Sequence, residues 1–220
     1  MSIICIALFG SFARRDERPD SDLDILAVTD ESGHRLKGDR HVKFTFASRE
    51  AMIADAMVGD LIILHILKEA IFLYDPMEFR EDLEARFKFL DNYNETKRNA
   101  ADVGWFLCDF GLKLADGGFA CRRAAWVVRT ILVARSAEER SPVFAAAKLT
   151  KLDMSGVGGS IIEQKGDTRF TNTTSLRLAT FLLENGFRRR VLGPTLDAYL
   201  EPIREVVESD ESDVIPFAGA

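Results

Sequence analysis

Two aspartates spaced two residues apart, Asp22 and Asp24, open an apolar run, Leu23–Thr29. Ten residues before them lies a Gly10-Ser11 pair, which ends an earlier apolar run, Ile3–Phe9. Both runs have the length and β-branched content of buried strands. On a strand, residues i and i+2 point to the same side, with Cα atoms about 6.5–7 Å apart. Asp22 and Asp24 then form a rigid oxygen platform, which suits Mg²⁺ or Mn²⁺. Gly10 lets the backbone turn sharply and come close to a phosphate. Ser11 offers a hydroxyl and an amide at the start of a short helix, where an anion is favoured. Taken singly, the aspartate pair also reads as a solvated strand end and the Gly-Ser pair as an ordinary cap. Together, at one end of a sheet, they bring phosphate donors and metal ligands face to face. That pairing is what transfer of a nucleotidyl group needs.

The rest of the first 75 residues supports such a sheet. Phe12–Glu17 has room only for a short helix before Pro19. Asp30–Gly38 is rich in turn formers and reads as a connection. Val42–Phe46 alternates cleanly, with Val42, Phe44 and Phe46 on an apolar face and Lys43 and Thr45 on a polar one. Ser48 is a suitable N-cap for a helix beginning at Arg49. Apolar residues recur from Ile53 to Leu67, and Ala70–Tyr74 reads as a short closing strand before Asp75-Pro76.

Beyond Pro76 the spacing is helical. Helices are expected over Glu78–Asp91, Tyr93–Ala115, Phe119–Ala137, Pro142–Leu152, Thr174–Asn185 and Leu192–Val207. Ser155–Thr173 lacks a pattern and reads as a loop. The acidic tail from Glu208 to Ala220 is expected to be flexible. The expected architecture is α+β: a small mixed-sheet domain over residues 1–75 and an all-helical bundle over 76–220.

Composition narrows the function classes. A net charge of −6 gives no bulk attraction to nucleic acid or to anionic membranes. Three cysteines, none in a CxxC pair, support neither a zinc knuckle nor a redox motif, and they suit a reducing cytoplasm. Ile3–Phe9 is too short to span a bilayer and lacks the flanks of a signal peptide, so no membrane partner is expected. Histidine occurs at positions 34, 41 and 65 only, all before the helical region. This argues against a Ser-His-Asp or Cys-His hydrolase centred in the bundle. No GxxxxGK[ST] loop is present. A glycosyltransferase reading of the aspartate pair lacks the longer nucleotide-binding region that usually precedes it.

Gly10-Ser11, ten residues, then Asp22-Leu23-Asp24 resembles the GS-x10-DxD signature of the DNA polymerase β-like nucleotidyltransferase superfamily. The wording Phe9-Gly10-Ser11-Phe12-Ala13-Arg14-Arg15-Asp16 resembles its minimal nucleotidyltransferase branch, as does Ser21-Asp22-Leu23-Asp24-Ile25-Leu26. The resemblance covers about residues 1–75. It implies Mg²⁺ or Mn²⁺ as cofactor, with Asp22 and Asp24 as catalytic metal ligands and an NTP, ATP first among them, as substrate. Gly10, Ser11, Arg14, Arg15 and Lys43 are the expected nucleotide contacts. The group moved would be an NMP, with AMP the expected one. The hydroxyl acceptor stays open between a small molecule such as an aminoglycoside-like antibiotic, a protein tyrosine and an RNA end.

Three departures qualify this. Active relatives usually carry a third carboxylate on a later strand, where Val42–Phe46 offers Lys43 and Thr45. An ammonium there opposes a second metal ion, since like unit charges 4 Å apart repel by about 4 kcal/mol at an effective dielectric near 20. Asp39 and Asp55 are the candidate replacement acids, and solvent-directed Lys43 is the other reading of that position. Arg15 stands where relatives have glycine. The chain opens directly on its first strand, so an unprotected sheet edge and a homodimer are also expectations. The helical part more loosely resembles the HEPN-like bundles fused to such domains, but without the histidine of their nuclease signature. There, Arg122, Trp126 and Arg129 share a side, and Arg188-Arg189-Arg190 is a basic cluster. The alternative to an enzyme is a catalytically degenerate, nucleotide-binding or antitoxin-like regulator that acts through a protein partner.

Overall fold

The computed structural model describes residues 2–17, 21–31, 34–38 and 42–190, the third of these through its backbone. Asp39, the expected helix at 192–207 and the acidic tail lie outside the described residues. The chain divides into two compact units, one ending at Leu90 and the other beginning at Asp91.

The first unit is a five-stranded mixed sheet with helices. Its strands are β1 (Ile3–Phe9), β2 (Leu23–Thr29), β3 (His34–Gly38), β4 (Val42–Ser48) and β5 (Ile71–Tyr74), in the order β3-β4-β2-β1-β5. β2 and β4 run parallel, and every other neighbouring pair is antiparallel. β1 therefore lies inside the sheet between β2 and β5, and its expected open edge is covered. The region expected as a turn, Asp30–Gly38, instead contains β3, which pairs along β4 from His34↔Ala47 to Gly38↔Lys43. Its polar sequence, His-Arg-Leu-Lys-Gly, suits an edge strand better than an interior one.

The alternation read in β4 holds, but the covered side is the opposite of the apolar one. Thr45 and Ala47 are buried, whereas Phe44 is 36% exposed. Cys5, Ala7, Leu26 and Val28 share the side of Thr45 and Ala47 through the pairing register and are buried with them. Helix α2 (Arg49–Met57) follows directly from the end of β4. Ser48 caps α2 as expected, its hydroxyl accepting from the Ala51 amide at 3.1 Å. The apolar recurrence to Leu67 is broken at Val58-Gly59, after which α3 (Leu61–Glu69) begins. Asp60 caps it by accepting from the amides of Ile62 and Ile63. α3 carries six buried aliphatic residues and is the apolar mass of this unit. α4 (Phe79–Arg86) packs against α2 and α3 through buried Phe79 and Leu83, and Arg49 pairs with Asp82 at 2.8 Å. These contacts carry the first unit past Asp75-Pro76 to Leu90.

The second unit is helical: α5 (Asn94–Phe110), α6 (Gly117–Glu138), α7 (Ala146–Leu152), α8 (Val157–Glu163) and α9 (Asn172–Glu184). α6 is its axis, with sixteen of its residues buried. Trp126 belongs to that core at 9% exposure. The stretch expected as a loop contains α8. Its Val-Gly-Gly-Ser start hides a helix from any propensity argument, but the glycines are where the packing is closest. A Cβ on Gly158 would stand 2.8 Å from the Phe181 ring and 2.9 Å from Val128. Tertiary packing overrides propensity here. Asp153 supports the turn by accepting from the Gly158 and Gly159 amides. The arginine cluster is strapped to α5: Arg189 pairs with Asp109 at 2.7 Å and stacks over Trp105, and Arg190 meets Asp102 at 3.4 Å. Trp105 Nε1 donates to the Phe187 carbonyl beside them at 3.1 Å.

Cys5, Cys108 and Cys121 are all free thiols. Burial, with the nearby Asp75 charge, pushes Cys5 up to about 12. Burial, with Asp109, does the same for Cys108. No helix among the described residues is long and apolar enough to cross a membrane.

Candidate functional site

The Gly-Ser turn and the aspartate pair meet, as the sequence led us to expect. Phe9, the last residue of β1, pairs with Asp24 on β2. Gly10 follows with φ +76 and opens α1 (Gly10–Arg14). A Cβ on Gly10 would stand 2.6 Å from Asp24 Oδ2. Both the backbone conformation and the space therefore call for glycine. The result is a carboxylate held directly against the backbone of the turn. α1 has only five residues, so the amides of the turn matter more than any helix dipole.

Lys43 settles on the inward side. The parallel register sets it opposite Asp24, and its Nζ lies 2.8 Å from Asp22 Oδ2. Asp22 and Lys43 are only 20% and 22% exposed, which makes this more than a loose surface pair. Asp22, Asp24 and Lys43 thus form one cluster at the sheet end beside the Gly-Ser turn. Among the described residues, no group of three or more His, Cys, Asp or Glu is placed to hold a metal ion. Asp55 accordingly does not complete the pair. It lies on α2, where burial pushes its carboxyl up to about 6. Two carboxylates do fit one Mg²⁺, which accepts one or two protein carboxylates and fills its shell with phosphate oxygens and water.

The two arginines behave differently. Arg14, expected at the phosphates, is engaged with its own unit. Its Nη1 donates to Glu69 Oε2 at 2.7 Å and its Nε to Asp16 at 3.1 Å. His65 Nε2 lies 3.0 Å from the same Glu69 oxygen, and the His65 ring meets Phe9 edge-on. Burial opposes both charges, but the hydrogen bonds outweigh it: the Arg14 pKa is raised and that of Glu69 is lowered. This clamp ties α1, and with it the Gly-Ser turn, to α3. Sequence reading overlooked His65 and Glu69 in this role, although their i, i+4 spacing on one helix was the available signal. Arg15 is exposed and takes φ 60, a left-handed conformation that favours glycine.

Residues 1–79 match the family model described as polymerase beta, nucleotidyltransferase. Among curated proteins, none matches the chain. A solved structure described as a nucleotidyltransferase-like protein from Exiguobacterium sibiricum 255-15 aligns over 93% of this chain and 73% of that one, at 13% identity. Its TM-score is 0.34, too low for the superposition to define a shared architecture.

Proposed function

Residues 1–79 form a nucleotidyltransferase domain of the polymerase β-like superfamily, and on that premise we propose that this unit binds a nucleoside triphosphate, ATP first among them, with a divalent cation. The observation that carries the reading is the packing of the Asp24 carboxylate against Gly10, so close that a Cβ there would stand 2.6 Å from Asp24 Oδ2. In this reading, phosphate donors and metal ligands would meet at one point. The amides of Gly10 and Ser11 would receive phosphate oxygens, and Asp22 and Asp24 would hold Mg²⁺ or Mn²⁺. The ion supplies charge neutralisation of the triphosphate. Exposed Arg15 borders the turn and would meet the phosphates from outside.

Binding, rather than transfer, is the function that this geometry supports best. Moving an NMP to a hydroxyl requires a group to take the hydroxyl proton. β4 offers Lys43 at that place, and Lys43 is paired to Asp22. This favours a nucleotide-binding regulator, for which a protein partner and a cytoplasmic location are part of the proposal. The second reading, transfer of AMP to a hydroxyl acceptor, is favoured by the complete Gly-Ser and Asp-x-Asp arrangement.

One experiment separates the two. The protein and an Asp22→Ala/Asp24→Ala variant are incubated with Mg²⁺ and labelled ATP, and both melting temperature and pyrophosphate are followed. Binding at one hundred times Kd stabilises the folded state by about 2.7 kcal/mol. The regulator reading expects that shift in the wild type only, without pyrophosphate. Pyrophosphate release that depends on the two aspartates establishes transfer instead. No shift in the wild type removes both.

A further inference from the structure

Sites that process phosphate esters with two divalent ions hold them about 3.5–4 Å apart on a shared set of carboxylates. The donor set here does not fit that arrangement. Among the described residues it consists of Asp22 and Asp24, and the Lys43 ammonium already lies 2.8 Å from Asp22 Oδ2. The lysine is not there by chance of rotamer alone. The parallel pairing of β2 with β4 sets it beside Asp24, on the covered face that also holds Thr45 and Ala47. We propose that Lys43 is a built-in cation that takes the place of the second divalent ion, so that this site receives a nucleoside triphosphate with a single one. The proposal rests on the nucleotide-site reading given above and deepens it.

Charge counting supports it. Three carboxylates with two divalent ions present a single net positive charge to the triphosphate. Two carboxylates, one ammonium and one divalent ion present the same charge. Two divalent ions added to the present cluster would leave three uncompensated positive charges in a partly enclosed site, which Coulomb repulsion disfavours. The Lys43 chain also differs from an ion in that it cannot leave. A phosphate-facing cation therefore persists when metal is withdrawn, and the nucleotide keeps one of its electrostatic anchors.

The test uses the full chain with Mn²⁺ and the non-hydrolysable analogue α,β-methylene-ATP. Bound Mn²⁺ is counted by the loss of the free-ion paramagnetic resonance signal. Analogue affinity is measured calorimetrically with Mn²⁺ and with EDTA. The wild type is expected to hold one Mn²⁺ per chain with the analogue, and Lys43→Asp two. In EDTA the wild type and Lys43→Arg are expected to bind the analogue at least tenfold tighter than Lys43→Met. Should Lys43→Asp fail to fold, the comparison in EDTA decides. Two Mn²⁺ on the wild type, or equal affinities of wild type and Lys43→Met in EDTA, overturn the assignment of Lys43 while leaving nucleotide binding intact. Absence of analogue binding by the wild type even with Mn²⁺ overturns the nucleotide site beneath it as well.

Discussion

Replacing Gly10 by alanine tests the geometry on which the site depends. The first cost is conformational: an alanine at φ +76 adopts a left-handed backbone at about 1 kcal/mol. The second is steric. The new Cβ would lie 2.6 Å from Asp24 Oδ2, and such contacts essentially never fall below 3.0 Å, so the carboxylate must retreat. We take the sum as about 2 kcal/mol, or about 10 °C in Tm for a unit of this size unfolding on its own. The retreat also moves a metal ligand away from the phosphate turn. Misplacements approaching 1 Å in such sites cost up to about a hundredfold, so about tenfold weaker binding of Mn²⁺ and nucleotide is expected. Gly59→Ala is the control. Its Cβ would stand 2.4 Å from the Lys88 carbonyl oxygen, in the same unit and at a comparable φ of +74. It should destabilise at least as much, yet leave the affinity of the folded protein unchanged. Urea unfolding and calorimetric titration at low temperature, where all three proteins are folded, read both quantities. Wild-type affinity in folded Gly10→Ala refutes the reasoning. So does an equal loss of affinity in Gly59→Ala.

Three further outcomes follow from the first unit. Burial raises the Asp60 carboxyl from 3.8 to about 6. The folded state therefore binds a proton more tightly than the unfolded one, and stability falls as pH rises through that interval, by up to about 3 kcal/mol. Asp60→Asn keeps the cap on α3, so urea unfolding should find it more stable than wild type at pH 8, with no such gain at pH 4. Glu69→Gln weakens the clamp on α1 by about 2 kcal/mol. Because the Glu69 pKa is lowered from 4.5, the wild-type advantage should be complete at neutral pH and fade as pH falls below that value. Arg15→Gly relieves a left-handed arginine and should raise stability by about 1 kcal/mol, seen as a higher urea midpoint at unchanged slope.

Where local chemistry decides, the sequence was readable. β1 and β2 have the bounds that their apolar runs suggest, and Ser48 caps the helix expected of it. The Gly-Ser turn and the aspartate pair lie together because each ends or begins one of those strands. Long-range packing decided the rest. β3 has little apolar signal and exists through its pairing with β4. α8 is glycine-rich because neighbouring helices leave no room for side chains. In β4 the alternation was plain, but which face is covered depends on packing that the strand alone does not encode. The direction of Lys43 follows from a parallel register that no single strand encodes. Arg14 looked available for phosphate because its partners, His65 and Glu69, lie about fifty residues away in the chain.

The buried thiols give each unit its own clock. Cys5 lies in the first unit at 0% exposure, and Cys121 lies in the second at 2%. Alkylation requires a thiolate that reagent can reach, and neither thiol meets that condition while its surroundings stay folded. Each becomes reactive only when its surroundings open. A pulse of alkylating reagent, read by mass spectrometry peptide by peptide, therefore times the opening of the two units separately in the unmodified protein. A nucleotide added during the pulse should slow the labelling of Cys5 more than that of Cys121, which reports ligand binding without any catalytic turnover.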